Sequence, residues 1–194
     1  MKTLIINFYP SQKKERILPY IDLIKDFSNY QIISENEFNL SFLKNLNSII
    51  LSGSPKMLSQ NEFNKDILEI LKEVEIPILG ICYGHQLLAK TFGGEIGRHP
   101  EIIERDEEIF ILDKKDIFYN LADKIIAKES HQEYVIKSSL EKNDLEVIAF
   151  SKSCEVEAIR HRKKKSFGLQ FHIERSGDIG YKIIKNFYQR IVKY

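Results

Sequence analysis

The segment that most constrains the fold is residues 76–86, where an apolar run leads into Gly80-Ile81-Cys82-Tyr83-Gly84. The apolar run predicts a buried strand, and the two glycines allow the chain to turn sharply and pack closely on itself. The residues after Gly84 predict a helix, so Cys82 lies in the layout of the G-x-S-x-G nucleophile elbow, with sulfur in place of the hydroxyl. A helix N-terminus favours the thiolate. The sequence therefore predicts Cys82 as a nucleophile on an α/β scaffold.

The order of predicted elements supports that scaffold. In the first half, strands at 4–6, 31–33, 48–51 and 78–81 alternate with helical patterns, which indicates parallel strands with helices on both faces. A short helix is predicted at 42–46, and either Ser59 with Glu62 or a nearby polar residue is the candidate cap for the helix that follows. The second half predicts strands at 107–112, 134–136, 147–150, 156–159 and 167–171. An amphipathic helix ends the chain, and the whole pattern predicts one domain over residues 1–194 with a mixed sheet.

Composition narrows the class of protein. The chain has 194 residues, a formal net charge of +1 and no apolar stretch near the ~20 residues that a membrane helix needs, so we expect neither nucleic-acid nor membrane binding. The cationic run at 160–165 reads as a solvated hairpin tip, because no aromatic residues interleave it. The first residues predict a strand and no signal peptide. Two cysteines without a secretory signal indicate free thiols and a cytoplasmic location.

The general base is predicted ninety residues after the nucleophile. His172 follows a strong strand, and parallel strands that end beside the nucleophile strand share one edge of the sheet. Glu174 lies two residues further on, where its carboxylate can hold one imidazole nitrogen and leave the other free for the thiol proton. A surface salt bridge between Glu174 and Arg175 is the simpler alternative. Cys154 is expected to be a buried structural thiol.

An oxyanion would need backbone N–H donors, and two turns offer them. Tyr83 supplies one from the start of its helix, and Gly53 or Ser54 supplies another from the turn Ser52-Gly53-Ser54-Pro55. An ordinary strand-to-helix turn is the alternative for that segment. The sequence has no phosphate-binding loop, dinucleotide fingerprint or metal-ligand spacing, so it predicts no cofactor and no metal. Of the reaction classes that a thiol nucleophile can catalyse, the sequence therefore favours a hydrolysis that uses neither a metal nor a nucleotide.

These motifs resemble those of a known family. Pro77 to Gln86 and Gly168-Leu169-Gln170-Phe171-His172-x-Glu174 resemble the class I, triad-type glutamine amidotransferases, and the likeness covers nearly the whole chain. Ser52 to Pro55 resembles the oxyanion loop of that family. Phe92 to Arg98 resembles the segment after its nucleophile helix, and Ser130-His131 followed by Val135 resembles the segment whose backbone lines the glutamine pocket.

The resemblance implies a flavodoxin-like glutaminase domain with a mostly parallel mixed sheet. It implies that Cys82 attacks the side-chain amide of glutamine, that His172 moves the protons and that Glu174 orients the imidazole. It also implies a separate synthetase subunit that receives the ammonia. The remaining implied roles are oxyanion donation by Gly53, Ser54 and Tyr83 and substrate binding by Gln86, Ser130, Gln132 and Glu133.

Within the family, residues 154–159 and 167–187 are most similar to the stand-alone glutaminase subunits of GMP synthetases. The chain departs from the family pattern at Ile173, where a proline is usual, and at Ser54, where a second glycine is usual. It also departs at 101–108 and 175–178, two charged segments expected to face a synthetase. Two other hypotheses stay open: a γ-glutamyl peptide or polyamine hydrolase with the same triad, and an inactive regulatory member of the family.

Overall fold

The computed structural model describes residues 1–10 and 14–193 and is organised around a nine-stranded mixed sheet. Strands of the first half are β1 (Lys2–Asn7), β2 (Asn29–Ser34), β3 (Ser48–Leu51) and β4 (Ile78–Ile81). Strands of the second half are β5 (Ile96–Ile111), β6 (Lys124–Val135), β7 (Leu145–Phe150), β8 (Ala158–His161) and β9 (Ser166–Leu169). The helices are α1 (Lys14–Ile24), α2 (Asp66–Glu73), α3 (Tyr83–Thr91) and α4 (Gly177–Asn186), and a π-helical segment (Phe187–Val192) continues α4.

The sheet has the order β2-β1-β3-β4-β9-β8-β7-β5-β6, with its first five strands parallel and the rest joined in antiparallel pairs. Strands β3 and β4 are buried along their whole length because helices cover both faces. Two apolar layers pack on the sheet, one around α1 and α4 and the other around α2 and α3. The predicted α/β class with a mixed sheet is confirmed, and the carboxyl ends of β3, β4 and β9 lie side by side.

Several local predictions were wrong in their boundaries. The predicted strands 107–112 and 134–136 are the ends of β5 and β6, which form one long antiparallel hairpin. The length of β5 was missed because residues 96–106 are exposed or half-buried on both faces, so the apolar alternation that marks a half-buried strand is absent there. The strand predicted at 156–159 begins at Ala158, and the short helix predicted at 42–46 is a 3₁₀ turn at Leu40–Leu43.

Of the two candidates for the cap of α2, the Ser59–Glu62 pair was wrong, and a nearby polar residue, Asn64, bonds to the first turn instead. Glu62 accepts the Met57 N–H at 2.7 Å, and Asn64 Oδ1 accepts the Asp66 N–H at 3.0 Å at the start of α2. The cationic run at 160–165 does form the connection between antiparallel β8 and β9, as expected. Within the described residues, no helix is long and apolar enough to cross a membrane.

Candidate active site

The turn at Cys82 is held by close backbone packing on both sides. A Cβ at Gly80 would lie 2.4 Å from the Gly84 carbonyl oxygen, and a Cβ at Gly84 would lie 2.4 Å from the Leu51 carbonyl oxygen. Cys82 itself has φ 51° and ψ −105°, a conformation that side-chain-bearing residues rarely adopt, and it immediately precedes α3. The predicted strand, sharp turn and helix are therefore present, and both glycines are there because no side chain fits.

His172 and Glu174 reach the thiol from the neighbouring strand end. Because β9 pairs with β4 in parallel, with Ile81 opposite Leu169, the chain beyond β9 emerges beside Cys82. Glu174 Oε1 lies 2.6 Å from His172 Nδ1, and Cys82 lies close to the imidazole, with which it lines one cavity. Burial opposes the charge on His172, but Cys82 and Glu174 outweigh it and raise the pKa of His172 well above its usual range. Such an environment favours the charged form of His172.

Two further groups surround the sulfur. The Ser130 carbonyl oxygen lies 3.7 Å from Cys82 Sγ and 3.4 Å from His172 Nε2. The buried amide of Gln170 donates to Cys82 Sγ at 3.8 Å and accepts from Gln86 Nε2 at 3.1 Å. Sequence reasoning assigned Gln170 only to a strand. Its position two residues before His172 is the signal that could have placed its side chain on the same side as the imidazole.

The loop after β3 is fixed by side-chain hydrogen bonds. The Gly53 N–H donates to Tyr20 Oη at 2.8 Å, and the Ser52 hydroxyl donates to the Gly53 carbonyl at 2.9 Å. The Ser54 hydroxyl donates to the Phe8 carbonyl at 2.9 Å. Of the predicted oxyanion donors, Gly53 thus has its N–H bound to Tyr20, whereas the N–H groups of Ser54 and Tyr83 have no acceptor among the described residues. Sequence reasoning missed Tyr20, which lies on the apolar face of α1.

The predicted substrate-binding residues line one side of the thiol. Gln86 Nε2 donates to the Glu133 carbonyl at 2.7 Å, which ties α3 to the end of β6. The Glu133 carboxylate accepts the N–H groups of Leu58 and Ser59 at 2.7 and 2.9 Å, so that carboxylate holds the segment beyond the Ser52–Pro55 loop. Gln132 is directed toward the β5 strand, where its amide donates to the carbonyl oxygens of His99 and Pro100 at 3.1 and 3.2 Å. The side-chain amide of Gln132 is therefore already hydrogen-bonded, and only the Gln132 backbone is available to bind a ligand.

Two cavities meet at Cys82. The smaller, about 190 Å³, lies against the β6 wall and contains the four predicted substrate-binding residues: Gln86, Ser130, Gln132 and Glu133. The larger, about 430 Å³, opens on the His172 side and has Arg16 and Arg175 among its lining residues. Among the described residues, no group of three or more His, Cys, Asp or Glu side chains could hold a metal ion. A thiol, a charged imidazole and free backbone N–H groups beside a small cavity suit acyl transfer from a small substrate.

The charged segments expected to face a partner are only partly exposed. Residues 101–106 are exposed or half-buried on both faces of β5, but Glu107 is buried and accepts a hydrogen bond from Arg105 Nε at 2.5 Å. The expectation that the whole segment 101–108 faces a synthetase was therefore wrong at Glu107. Arg175 lines the larger cavity and lies 4.0 Å from Glu104, so the two departing segments do meet at the mouth of the site.

A buried carboxyl pair lies behind the β6 wall. The side chains of Glu129 and Glu157 are buried close together, and His131 Nε2 lies 3.1 Å from Glu129 Oε2. Burial raises the pKa of both carboxyl groups, to about 7 for Glu129. Cys154, as predicted, is a buried free thiol, and burial raises its pKa well above the usual range. That shift leaves it protonated and unreactive near neutral pH.

Comparison with known proteins gives the family. The family model described as "Glutamine amidotransferase class-I" matches residues 6–191. A protein of Methanococcus aeolicus, named as the glutamine-hydrolysing subunit of GMP synthase, is 40% identical over 145 residues, which cover 74% of this chain and 73% of that protein. Its namesake in Methanocaldococcus jannaschii is 36% identical over 174 residues, covering 89% of this chain and 87% of the relative.

Solved structures show the same fold. A candidate GMP synthase subunit from Thermoplasma acidophilum superposes with a TM-score of 0.84 at 23% identity, covering 97% of this chain and 92% of that one. A glutamine amidotransferase from Thermotoga maritima gives a TM-score of 0.73 at 21% identity, covering 100% of this chain and 84% of that one.

Proposed function

The chain belongs to the class-I glutamine amidotransferases, and on that premise we propose that it hydrolyses glutamine and passes the ammonia to a separate synthetase subunit that makes GMP. The relatives that are 33–41% identical to it bear the name of the glutamine-hydrolysing subunit of GMP synthase, which supports this acceptor over others. The observation that carries the proposal is the convergence of Cys82, His172 and Glu174 at one sheet edge. We propose in addition a cytoplasmic location, which the two free thiols support.

The reaction begins with the ion pair between Cys82 and His172. The thiolate attacks the side-chain amide carbon of glutamine, and a tetrahedral oxyanion forms. The His172 imidazolium then gives its proton to the amide nitrogen, the C–N bond breaks, and ammonia leaves while a γ-glutamyl thioester remains on Cys82. Glu174 holds Nδ1 and stabilises the charged ring, as the 2.6 Å contact requires.

The second half of the reaction returns the enzyme to its starting state. Neutral His172 takes a proton from water, and the resulting hydroxide adds to the thioester carbon. The C–S bond breaks, glutamate is released, and the proton on His172 restores the ion pair with the Cys82 thiolate. No redox partner and no nucleotide enters these steps.

Substrate binding is assigned to the smaller cavity. Glutamine enters along the β6 wall with its amide directed at Cys82, and the backbone of Ser130, Gln132 and Glu133 lines its path. Gln86 contributes its side chain from α3, held in place by the Glu133 carbonyl. The larger cavity on the His172 side is then free for the departing ammonia, and its mouth at Arg175 is where the synthetase would dock.

Reconstitution tests the proposal. The chain is mixed with the GMP synthetase subunit of its source organism, xanthosine monophosphate, ATP and glutamine, and GMP is measured. We expect glutamine-dependent GMP formation that Cys82→Ala abolishes and Cys154→Ala leaves intact, since Cys154 is the buried, unreactive thiol of the same chain. Free ammonium should restore GMP formation with the Cys82→Ala chain. If the synthetase makes GMP from ammonium but not from glutamine in the presence of the wild-type chain, the GMP synthetase subunit is not the acceptor.

Hydrolysis of glutamine without GMP formation would separate the two parts of the proposal. In that case the chemistry stands and another synthetase receives the ammonia. Rapid hydrolysis of γ-glutamyl amines, with little of glutamine, would instead favour a γ-glutamyl hydrolase. Peptide mapping after treatment with a glutamine-analogue alkylator should place the label on Cys82, and a label on Cys154 would overturn the assignment of the nucleophile.

A further inference from the structure

We infer that Ser52 and Tyr20 are positioning residues for the oxyanion hole, because they turn the peptide between Gly53 and Ser54 so that the Ser54 N–H acts with that of Tyr83. The inference rests on the proposed function and deepens it. It selects one donor where the sequence left two, and it assigns roles to two buried hydroxyl groups for which the sequence predicted none.

First, the Gly53 N–H is excluded as an oxyanion donor because it is already bonded. This N–H donates to Tyr20 Oη at 2.8 Å, and Tyr20 is completely buried. A buried N–H that gave up this bond for a transient oxyanion would leave the phenol oxygen without its donor, which carries a desolvation cost. The Tyr20 hydroxyl therefore fixes the peptide before Gly53 and keeps its N–H turned away from the reaction.

The second step fixes the next peptide. The Ser52 hydroxyl is fully buried, accepts the Phe8 N–H at 3.0 Å and donates to the Gly53 carbonyl at 2.9 Å. A trans peptide is planar, so its C=O and N–H point in opposite directions. The described chain has no cis peptide. With the Gly53 carbonyl held on Ser52, the Ser54 N–H must face away from that buried hydroxyl.

The third step is the anchoring of Ser54 itself. Its hydroxyl donates to the Phe8 carbonyl at 2.9 Å and accepts the Lys56 N–H at 3.1 Å. Ser54 lines both cavities that meet at Cys82. This side chain binds the loop to the residue that follows β1, and the Ser54 backbone N–H takes no part in that bond. The donor is thus presented by a loop bound at Ser52, Gly53 and Ser54.

The expected effect of losing this orientation follows from the value of one oxyanion donor, about 10²–10³ in kcat. Ser52→Ala frees the Gly53 carbonyl, so we expect kcat for glutamine to fall by about a hundredfold with KM changed little. Tyr20→Phe keeps the ring and removes only the acceptor of the Gly53 N–H, so a smaller fall, about tenfold, is expected. The matched controls are Ser48→Ala and Tyr188→Phe, two equally buried hydroxyls that bond to Thr3 at 2.9 and 2.7 Å.

A second measurement separates positioning from general disorder of the site. Glutamate γ-semialdehyde adds to the thiol and forms a tetrahedral oxyanion, whereas alkylation by iodoacetamide forms none. In Ser52→Ala, the affinity for the aldehyde should fall by the same factor as kcat, while the alkylation rate of Cys82 stays at the wild-type value. The controls should change neither quantity.

The outcomes are distinct. Unchanged aldehyde affinity in both Ser52→Ala and Tyr20→Phe, or alkylation that slows in parallel with kcat, overturns the positioning role. If Ser52→Ala does not fold, Tyr20→Phe alone decides by the same readouts. A wild-type chain that hydrolyses no glutamine with any synthetase overturns the proposed function and this inference with it. An active wild type with fully active variants overturns the inference alone.

Discussion

Adding one methyl group at Gly84 should damage stability and catalysis together. A Cβ at this position would lie 2.4 Å from the Leu51 carbonyl oxygen, 2.7 Å from the Leu51 Cβ and 2.8 Å from its carbonyl carbon. Real Cβ contacts essentially never fall below 3.0 Å, so the gap must open by at least 0.6 Å (3.0 minus 2.4). The obstacle is the backbone of a buried central strand, which cannot rotate out of the way as a side chain could.

Two opposing free energies set the expected size. Overpacking a close-packed site costs about 1–3 kcal/mol, and the upper end applies here because the contact is with backbone. Alanine is favoured over glycine in a helix interior by about 1 kcal/mol, and less in the first turn, where Gly84 lies. The net destabilisation is therefore about 2 kcal/mol, which lowers the melting temperature by about 4–8 °C in a chain of this size.

Catalysis should suffer through the oxyanion loop. Leu51 is followed directly by Ser52 and Gly53, so a displaced Leu51 carbonyl moves the loop that presents the Ser54 N–H. A misplacement of about 1 Å costs about 10²-fold in rate, so a shift of 0.6 Å or more should lower kcat by at least about tenfold. Glutamate release under saturating glutamine and thermal unfolding followed by circular dichroism measure the two effects.

Gly93→Ala is the matched control, because Gly93 follows the other end of α3. No atom lies within 4 Å of a Cβ there, but φ is +92°, so alanine is strained without a clash. This variant should lose stability with little change in kcat. If Gly84→Ala kept both the wild-type melting temperature and the wild-type kcat, the close approach of α3 to β3 would be wrong. A loss of stability with unchanged kcat would show that the Ser52–Pro55 loop does not move with Leu51.

Three further predictions concern protons and partners. His172→Ala should lower kcat for glutamate release almost as much as loss of the nucleophile, whereas Glu174→Gln should cost less because the carboxylate only orients and stabilises the ring; a near-wild-type His172→Ala chain would refute the triad. Glu129→Gln should raise the free energy of unfolding at pH 8.5 and change it little at pH 5, measured by urea denaturation. The reason is that the folded-state pKa, about 7, lies above the ordinary 4.5, so this carboxyl loses stability as pH rises through 7; equal effects at both pH values would contradict it. The free chain should hydrolyse glutamine slowly and its synthetase should accelerate it, and high turnover that no partner changes would argue against such gating.

The sequence was sufficient for the parts of the fold that rest on continuous burial. Strands β3 and β4 are apolar throughout because helices cover both faces, and the turn at Cys82 is marked by two glycines. The position of His172 after a strong strand was also enough to predict its place beside the thiol, since parallel strands end at one edge. These features are local, or depend on a single rule of sheet topology.

The rest depends on contacts between distant segments. Nothing local in α1 shows that Tyr20 reaches the Gly53 N–H, and an apolar-face tyrosine normally reads as core. The length of β5 was missed because residues 96–106 are exposed or half-buried on both faces, so only its buried end has the alternation of a strand. The hydrogen bonds from the Leu58 and Ser59 N–H groups to the Glu133 carboxylate join residues that are 75 and 74 positions apart. No periodicity in the sequence predicts such a contact.

The backbone conformation at Cys82 also predicts how the sequence would change at this position if the activity were no longer under selection. With φ 51° and ψ −105°, a residue that carries a Cβ is strained by about 1–3 kcal/mol, whereas glycine is not. At ordinary positions a chain with glycine is less stable than one with alanine by about 0.5–1 kcal/mol, because glycine has more conformational freedom when unfolded. At position 82 the strain on alanine outweighs this difference, so the chain with glycine should be the more stable one. A selection for folded, abundant protein alone should therefore enrich glycine over alanine at position 82, the site of the proposed nucleophile.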